Sequence, residues 1–132
     1  MNVVLDTNIL ISALGWPNGN EAKILNLCYA KKLVLLMSPD LIEEFYDVAS
    51  RPKLGFVLSE IEDFIASILE ICKFINPQEK IEIIQDDSDN RLLELAYEGK
   101  SDLIITGDEH LLKLGEFKGI KVLRSIDFLK SF

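Results

Sequence analysis

The chain alternates between short, almost wholly apolar runs and longer stretches in which apolar residues return every three or four positions. The short runs are residues 2–6, Leu33–Met37, Ile81–Ile84, Leu103–Thr106 and Ile120–Leu123, rich in Val, Ile and Leu with little polar alternation. That is the pattern of strands covered on both faces, as in a parallel sheet. Between them the spacing predicts helices. Ile9–Leu14 forms a short one, broken by Gly15-Trp16-Pro17-Asn18-Gly19. Asn20 caps the next, which runs to about Lys32 with Ala22, Leu25 and Cys28 in register. Ser38-Pro39 opens a third, to about Ser50, because Ser at the cap and Pro at the first helical position pair well. Arg51-Pro52-Lys53-Leu54-Gly55 ends it.

Ser59 through Glu62 reads as the capping box of the longest helix, which runs to about Phe74 before Asn76-Pro77. The acidic knot Asp86-Asp87-Ser88-Asp89 starts a helix to Glu98, closed by Gly99. Gly107-Asp108 turns the fourth strand into a helix through Leu114, and Ser125 caps a last one. Strands alternate with helices throughout, with no linker, repeat or low-complexity segment. The expected fold is a three-layer α/β/α sandwich with a central parallel sheet of about five strands. A length of 132 residues suits one domain over 1–132.

In such sheets ligands bind beyond the carboxyl ends of the strands. Asp6 follows the first strand directly and Asp108 follows the fourth after one glycine, so both belong at that rim. Two helical acids can be placed by advancing each residue roughly 100°. Glu44 borders the apolar stripe of Leu41, Ile42, Phe45, Val48 and Ala49, whereas Glu43 falls nearly opposite it. Asp89 falls inside the stripe of Leu92, Leu93, Leu95 and Ala96, and Arg91 falls outside. Each acid has a bland reading: Asp6 a strand-ending turn, Asp86 to Asp89 and Asp108 helix caps, Glu44 half of a solvated pair with Glu43. Three acids in four positions nonetheless exceed what one cap requires.

Composition sharpens this picture. Two like charges about 4 Å apart repel by roughly 4 kcal/mol at an effective dielectric near 20. No lysine or arginine is inserted beside these acids, so protonation or a divalent cation must offset the repulsion. Oxygen donors without a Cys/His cluster suit Mg²⁺ or Mn²⁺ rather than Zn²⁺. Hydrophobic residues at 48% and charged residues at 27% are those of a folded domain. No apolar run approaches the roughly 20 residues of a membrane span, and no leader-like segment precedes the first strand. The expected location is therefore the cytoplasm, with Cys28 and Cys72 as free thiols on helix faces. A net charge of −8 opposes nonspecific nucleic-acid binding.

With these residues assembled, the sequence resembles the PIN-domain family, of the kind found as ribonuclease toxins in prokaryotic toxin–antitoxin modules (VapC-like). Asp6-Thr7-Asn8-Ile9-Leu10-Ile11-Ser12-Ala13 resembles the family's opening signature. Ser38-Pro39 through Glu44-Phe45 with Arg51-Pro52-Lys53-Leu54, then Asp87-Ser88-Asp89-Asn90 through Leu95-Ala96, resemble the second and third blocks. Asp102 through Thr106-Gly107-Asp108 with Leu111-Leu112 resembles the fourth. The blocks are in order over nearly the whole chain. The resemblance implies a Mg²⁺- or Mn²⁺-dependent endoribonuclease with Asp6, Glu44, Asp89 and Asp108 as the acidic catalytic and metal set. It also implies Asn8, Ser12 and Thr106 as polar supports. Asp87 is the alternative to Asp89 or its companion, and the angle count favours Asp89. A small antitoxin that covers the site and a homodimer are further implications of the family.

The mechanism this predicts is hydrolysis of single-stranded RNA by metal-activated water, with no protein nucleophile. His110 has no Ser or Cys partner in sequence and is expected on a helix surface. RNA binding should be weak and strongly salt-dependent. The alternative is a catalytically inactive PIN-like module that binds RNA or protein. Two other α/β classes fit less well. A phosphoacceptor domain wants a lysine where this chain has Arg124-Ser125, and a haloacid-dehalogenase-type phosphatase wants an acid where it has Asn8.

Overall fold

The computed structural model describes residues 1–132. Six strands form one sheet: β1 (Asn2–Leu5), β2 (Val34–Met37), β3 (Lys73–Phe74), β4 (Leu103–Ile105), β5 (Glu116–Phe117) and β6 (Ile120–Leu123). Their order is β3-β2-β1-β4-β6-β5, parallel except for the antiparallel β5–β6 pair. Seven helices surround it: α1 (Thr7–Gly15), α2 (Asn20–Tyr29), α3 (Pro39–Ala49), α4 (Leu58–Ile71), α5 (Asp87–Glu98), α6 (Glu109–Leu112) and α7 (Ser125–Ser131). This is the predicted α/β class. Val3, Val4 and Leu5 of β1, Leu35 and Leu36 of β2, and Ile104 and Ile105 of β4 are wholly inaccessible, so both faces of the central strands are covered. The buried apolar residues form one cluster. Phe45 stacks on Phe64 at 5.2 Å between ring centres and ties α3 to α4.

The order of the strands positions the site. The chain leaves β1 for β2 on one side and returns to β4 on the other. The order reverses at β1, and the crevice beyond the carboxyl ends of β1 and β4 is the switch point where such sheets bind ligands.

The structure corrects the expected strand at 81–84, which is not part of the sheet. The strand next to β2 is β3, inside the stretch that the pattern assigns to the end of the long helix. That helix stops at Ile71, Cys72 is extended, and Ile75 donates its N–H to the Met37 carbonyl at 2.8 Å. Residues 78–84 instead run along α5, whose side chains replace a strand partner. Glu98 Oε1 accepts from the N–H groups of Gln78 (2.6 Å) and Glu79 (2.9 Å), and Glu94 Oε2 from that of Ile81 (2.9 Å). Asn90 Oδ1 accepts from Ile83 and Ile84 at 3.2 and 2.9 Å, and its amide donates to the Ile84 carbonyl at 2.6 Å. Positions 90, 94 and 98 lie on one helix face, so a single row of side chains pairs the extended segment.

Smaller corrections concern helix ends. α4 begins after Val57, whose N–H reaches Glu60 Oε1 at 3.2 Å, so Ser59 and Glu62 form no capping box. Gly19 rather than Asn20 precedes α2, and Ser125 is the first residue of α7 rather than its cap. The β5–β6 pair adds a hairpin that the hydrophobic pattern does not predict. Its two-residue loop, Lys118-Gly119, has positive φ at both positions (50° and 85°), the geometry that matches strand twist in a tight hairpin. Cys28 and Cys72 are free, and burial pushes the Cys28 thiol up to about 12. No helix is long and apolar enough to cross a membrane.

Candidate functional site

Asp6 leaves β1 with its N–H bonded to the Ile105 carbonyl at 3.0 Å, which fixes the end of β1 against β4. Its backbone carbonyl starts α1, but its carboxylate does not cap that helix. The carboxylate turns into the crevice, where Oδ2 accepts the Thr106 hydroxyl at 2.5 Å. Thr106 is fully buried and in turn accepts the Asp108 N–H at 2.9 Å. One hydroxyl thus binds the end of β1 to the turn after β4. Asp108 Oδ1 caps α6, accepting from His110 N–H at 2.8 Å and Leu111 N–H at 3.1 Å.

Glu44 comes from α3, and its Oε2 accepts the Thr7 hydroxyl at 2.9 Å. Asp89 sits in the first turn of α5 with 8% exposure. Its Oδ2 is shut off from solvent and has no hydrogen-bond partner. Asp86 takes the capping role, its Oδ1 accepting from Ser88 and Asp89 N–H at 2.8 and 3.3 Å.

A cleft of about 220 Å³ brings Asp6, Glu44, Asp89 and Asp108 together, bordered also by Asn8, Asp86 and Arg51. Ser12 is half-buried in α1 and does not line it. Asp87 does not line it either; it lies on the adjoining acidic surface with Asp40, Glu43 and Asp47. Asp86 escapes the sequence reading as a cleft residue because its capping chemistry accounts for it. His110 is exposed, as a surface helix residue should be. Yet Asp89, Asp108 and His110 each place a potential ligand atom within 4.8 Å of the others. Its position two residues past Asp108, at the start of a helical turn, is the signal the sequence offers.

The electrostatics are unbalanced. Ion pairs join Arg91 to Glu94 and Arg124 to Glu109, and His110 lies 3.9 Å from Asp108. No lysine or arginine pairs with Asp6, Glu44, Asp89 or Asp108, and Arg51 at the cleft wall pairs with none of them. Burial pushes the Asp89 carboxyl up to about 7, helped by repulsion from Asp108, Asp86, Asp6 and Glu44. Burial also raises Asp6; the Thr106 hydrogen bond opposes that rise, and Glu44 and Asp108 add to it. Carboxylates that line one cleft, one of them with an unpartnered buried oxygen, are donors that suit a hard divalent cation, although no three of them bring ligand atoms within 4.8 Å of one another.

The family model of the PIN domain matches residues 2–110. The chain belongs to the PIN domain family. PIN domains are generally nucleases and typically bind a divalent metal ion. The chain is similar to the uncharacterized protein MJ1680 of Methanocaldococcus jannaschii, with 36% identity over 126 residues, 92% of this chain and 81% of that protein. Its fold is similar to a chain of VapBC2 from Rickettsia felis, solved bound to a DNA fragment from their promoter. There the TM-score is 0.66 at 15% identity, over 92% of this chain and 97% of that one.

Proposed function

We propose that residues 1–132 form a single PIN-like nuclease domain that hydrolyses phosphodiester bonds of single-stranded RNA in the cytoplasm. It requires Mg²⁺ or Mn²⁺ held by Asp6, Glu44, Asp89 and Asp108. The observation that carries this reading is the unpartnered, solvent-shielded Oδ2 of Asp89 in a cleft whose carboxylates lack basic partners. When bound, the ion supplies Lewis acidity toward the phosphate and lowers the pKa of water. The chain's own residues orient the parts. Thr106 holds Asp6 and the Asp108 turn together, Thr7 aims Glu44, and Asn8 adds a neutral polar wall. Arg51, free of any acid, steadies a backbone phosphate at the cleft mouth.

The likeness to VapBC2 supports a toxin role with a small antitoxin as partner, and a homodimer is the expected assembly. The test compares wild type with Asp6→Asn on a mixed RNA pool with Mg²⁺, Mn²⁺ or EDTA. Cleavage by wild type alone, abolished by EDTA, is the expected result. Equal cleavage by both proteins would remove these acids from catalysis. RNA binding with no cleavage by wild type under any ion would favour the inactive binding module.

A further inference from the structure

We propose that His110 supplies an imidazole nitrogen to the cation held by Asp89 and Asp108, and so turns the site toward first-row transition ions such as Mn²⁺ and away from Mg²⁺. This rests on the metal reading above and adds a ligand that the four acids do not include. Asp89, Asp108 and His110 gather one potential ligand atom each within 4.8 Å. Atoms bound to one ion at about 2.0–2.2 Å stand roughly 3 to 4.4 Å apart, so little movement closes the group.

The imidazole is free to make it. Its side chain is 70% exposed and makes no hydrogen bond, and Nδ1 stands 3.9 Å from Asp108 Oδ1, beyond bonding distance. Its backbone is anchored, because the His110 N–H is held by the Asp108 cap at 2.8 Å. The independent sign of a ligand is Asp89, more than nine-tenths buried with an orphaned Oδ2. Mg²⁺ takes oxygen donors and keeps its water, so it gains little from an imidazole. Transition ions bind nitrogen more readily.

His110 is the only histidine in the chain, so an imidazole signal from untagged protein has one possible origin. The experiment is pulsed EPR of bound Mn²⁺ in wild type and His110→Gln, with titrations of Mn²⁺ and Mg²⁺ binding to both. Wild type should show imidazole ¹⁴N modulation that disappears in His110→Gln. Mn²⁺ affinity should fall at least about tenfold while Mg²⁺ affinity changes less than about twofold. Bound Mn²⁺ without nitrogen modulation in wild type, or an unchanged Mn²⁺ to Mg²⁺ preference in the variant, overturns this inference and leaves the four-carboxylate reading standing. Failure of wild type to bind either ion, with melting unchanged by both, overturns the two together.

Discussion

Replacing Asp89 with Asn should stabilise the metal-free protein, by an amount that depends on pH. The wild-type carboxyl is pushed from 3.8 up to about 7, first by burial and then by its acidic neighbours. Each pH unit of displacement is worth about 1.4 kcal/mol, which sets a ceiling of about 4 kcal/mol. Solvent reaches this group's surroundings through the cleft, and screening reduces the effect to about 2 kcal/mol. The folded value lies above the unfolded one, so between about pH 4 and pH 7 the folded chain binds the extra proton. Wild-type stability therefore falls as pH rises across that interval, and the full penalty is present by about pH 8.

The carboxamide of the variant has no charge to bury, so Asp89→Asn and wild type should melt alike near pH 4 and diverge above it. With about 2.1 cal/mol/K per residue over 132 residues, 2 kcal/mol corresponds to about 7 °C in Tm. The assay is thermal melting in EDTA at pH 4.5 and pH 8. Saturating divalent ion should then reverse the order, since binding adds about 2.7 kcal/mol at a hundred times Kd and the variant binds less. An equal Tm difference at both pH values in EDTA would refute the reasoning, as would a variant less stable than wild type at pH 8.

Three further changes probe separate parts of the structure. Thr106→Val removes the hydrogen bond that opposes the rise of the Asp6 carboxyl and strips the Asp108 N–H of its acceptor. It should cost about 1–3 kcal/mol and move the acidic limb of the RNA-cleavage profile to higher pH; a limb that stays in place contradicts the assigned role of the hydroxyl. Glu94→Ala removes the acceptor of the Ile81 N–H and the partner of Arg91. We expect a loss of about 2–3 kcal/mol in urea unfolding and faster hydrogen exchange at Ile81, with Glu94→Gln intermediate. Unchanged exchange at Ile81 would mean that the segment is held otherwise. Arg51→Ala should weaken RNA binding and reduce the salt slope by about one, and an unaltered slope would show that this guanidinium meets no phosphate.

The cleft is legible where an acid interrupts an apolar pattern. Asp6 follows β1 directly and Asp108 lies just past β4, both beyond the carboxyl ends of buried strands, and Asp89 stands inside an apolar helix stripe, so strand ends and helical periodicity together point all three at one rim. Glu44 is harder, because only the angle distinguishes it from Glu43, which the structure leaves exposed. Illegible features are those in which a long-range partner overrules the local pattern. Ile81–Ile84 has the composition of a strand, yet Asn90, Arg91 and Glu94 supply its hydrogen bonds from a helix. Lys73-Phe74 continues a helical register in sequence but is claimed by the open edge of β2. Nothing local announces either exchange. Asp86 and His110 elude the sequence for a different reason, since a cap and a surface histidine each have a sufficient ordinary explanation.

The placement of β1 between β2 and β4 also bears on how the protein is made. Asp6 is translated about a hundred positions before the hydroxyl that holds it and the acid across from it. A fragment ending at Gly99 contains β2 and α5 but not β4, so one flank of β1 stays bare. Such a product has Glu44 and Asp89 but neither Thr106 nor Asp108. Synthesis that stalls before Thr106 therefore yields fragments whose acidic cleft is missing one wall and the hydroxyl that fixes Asp6.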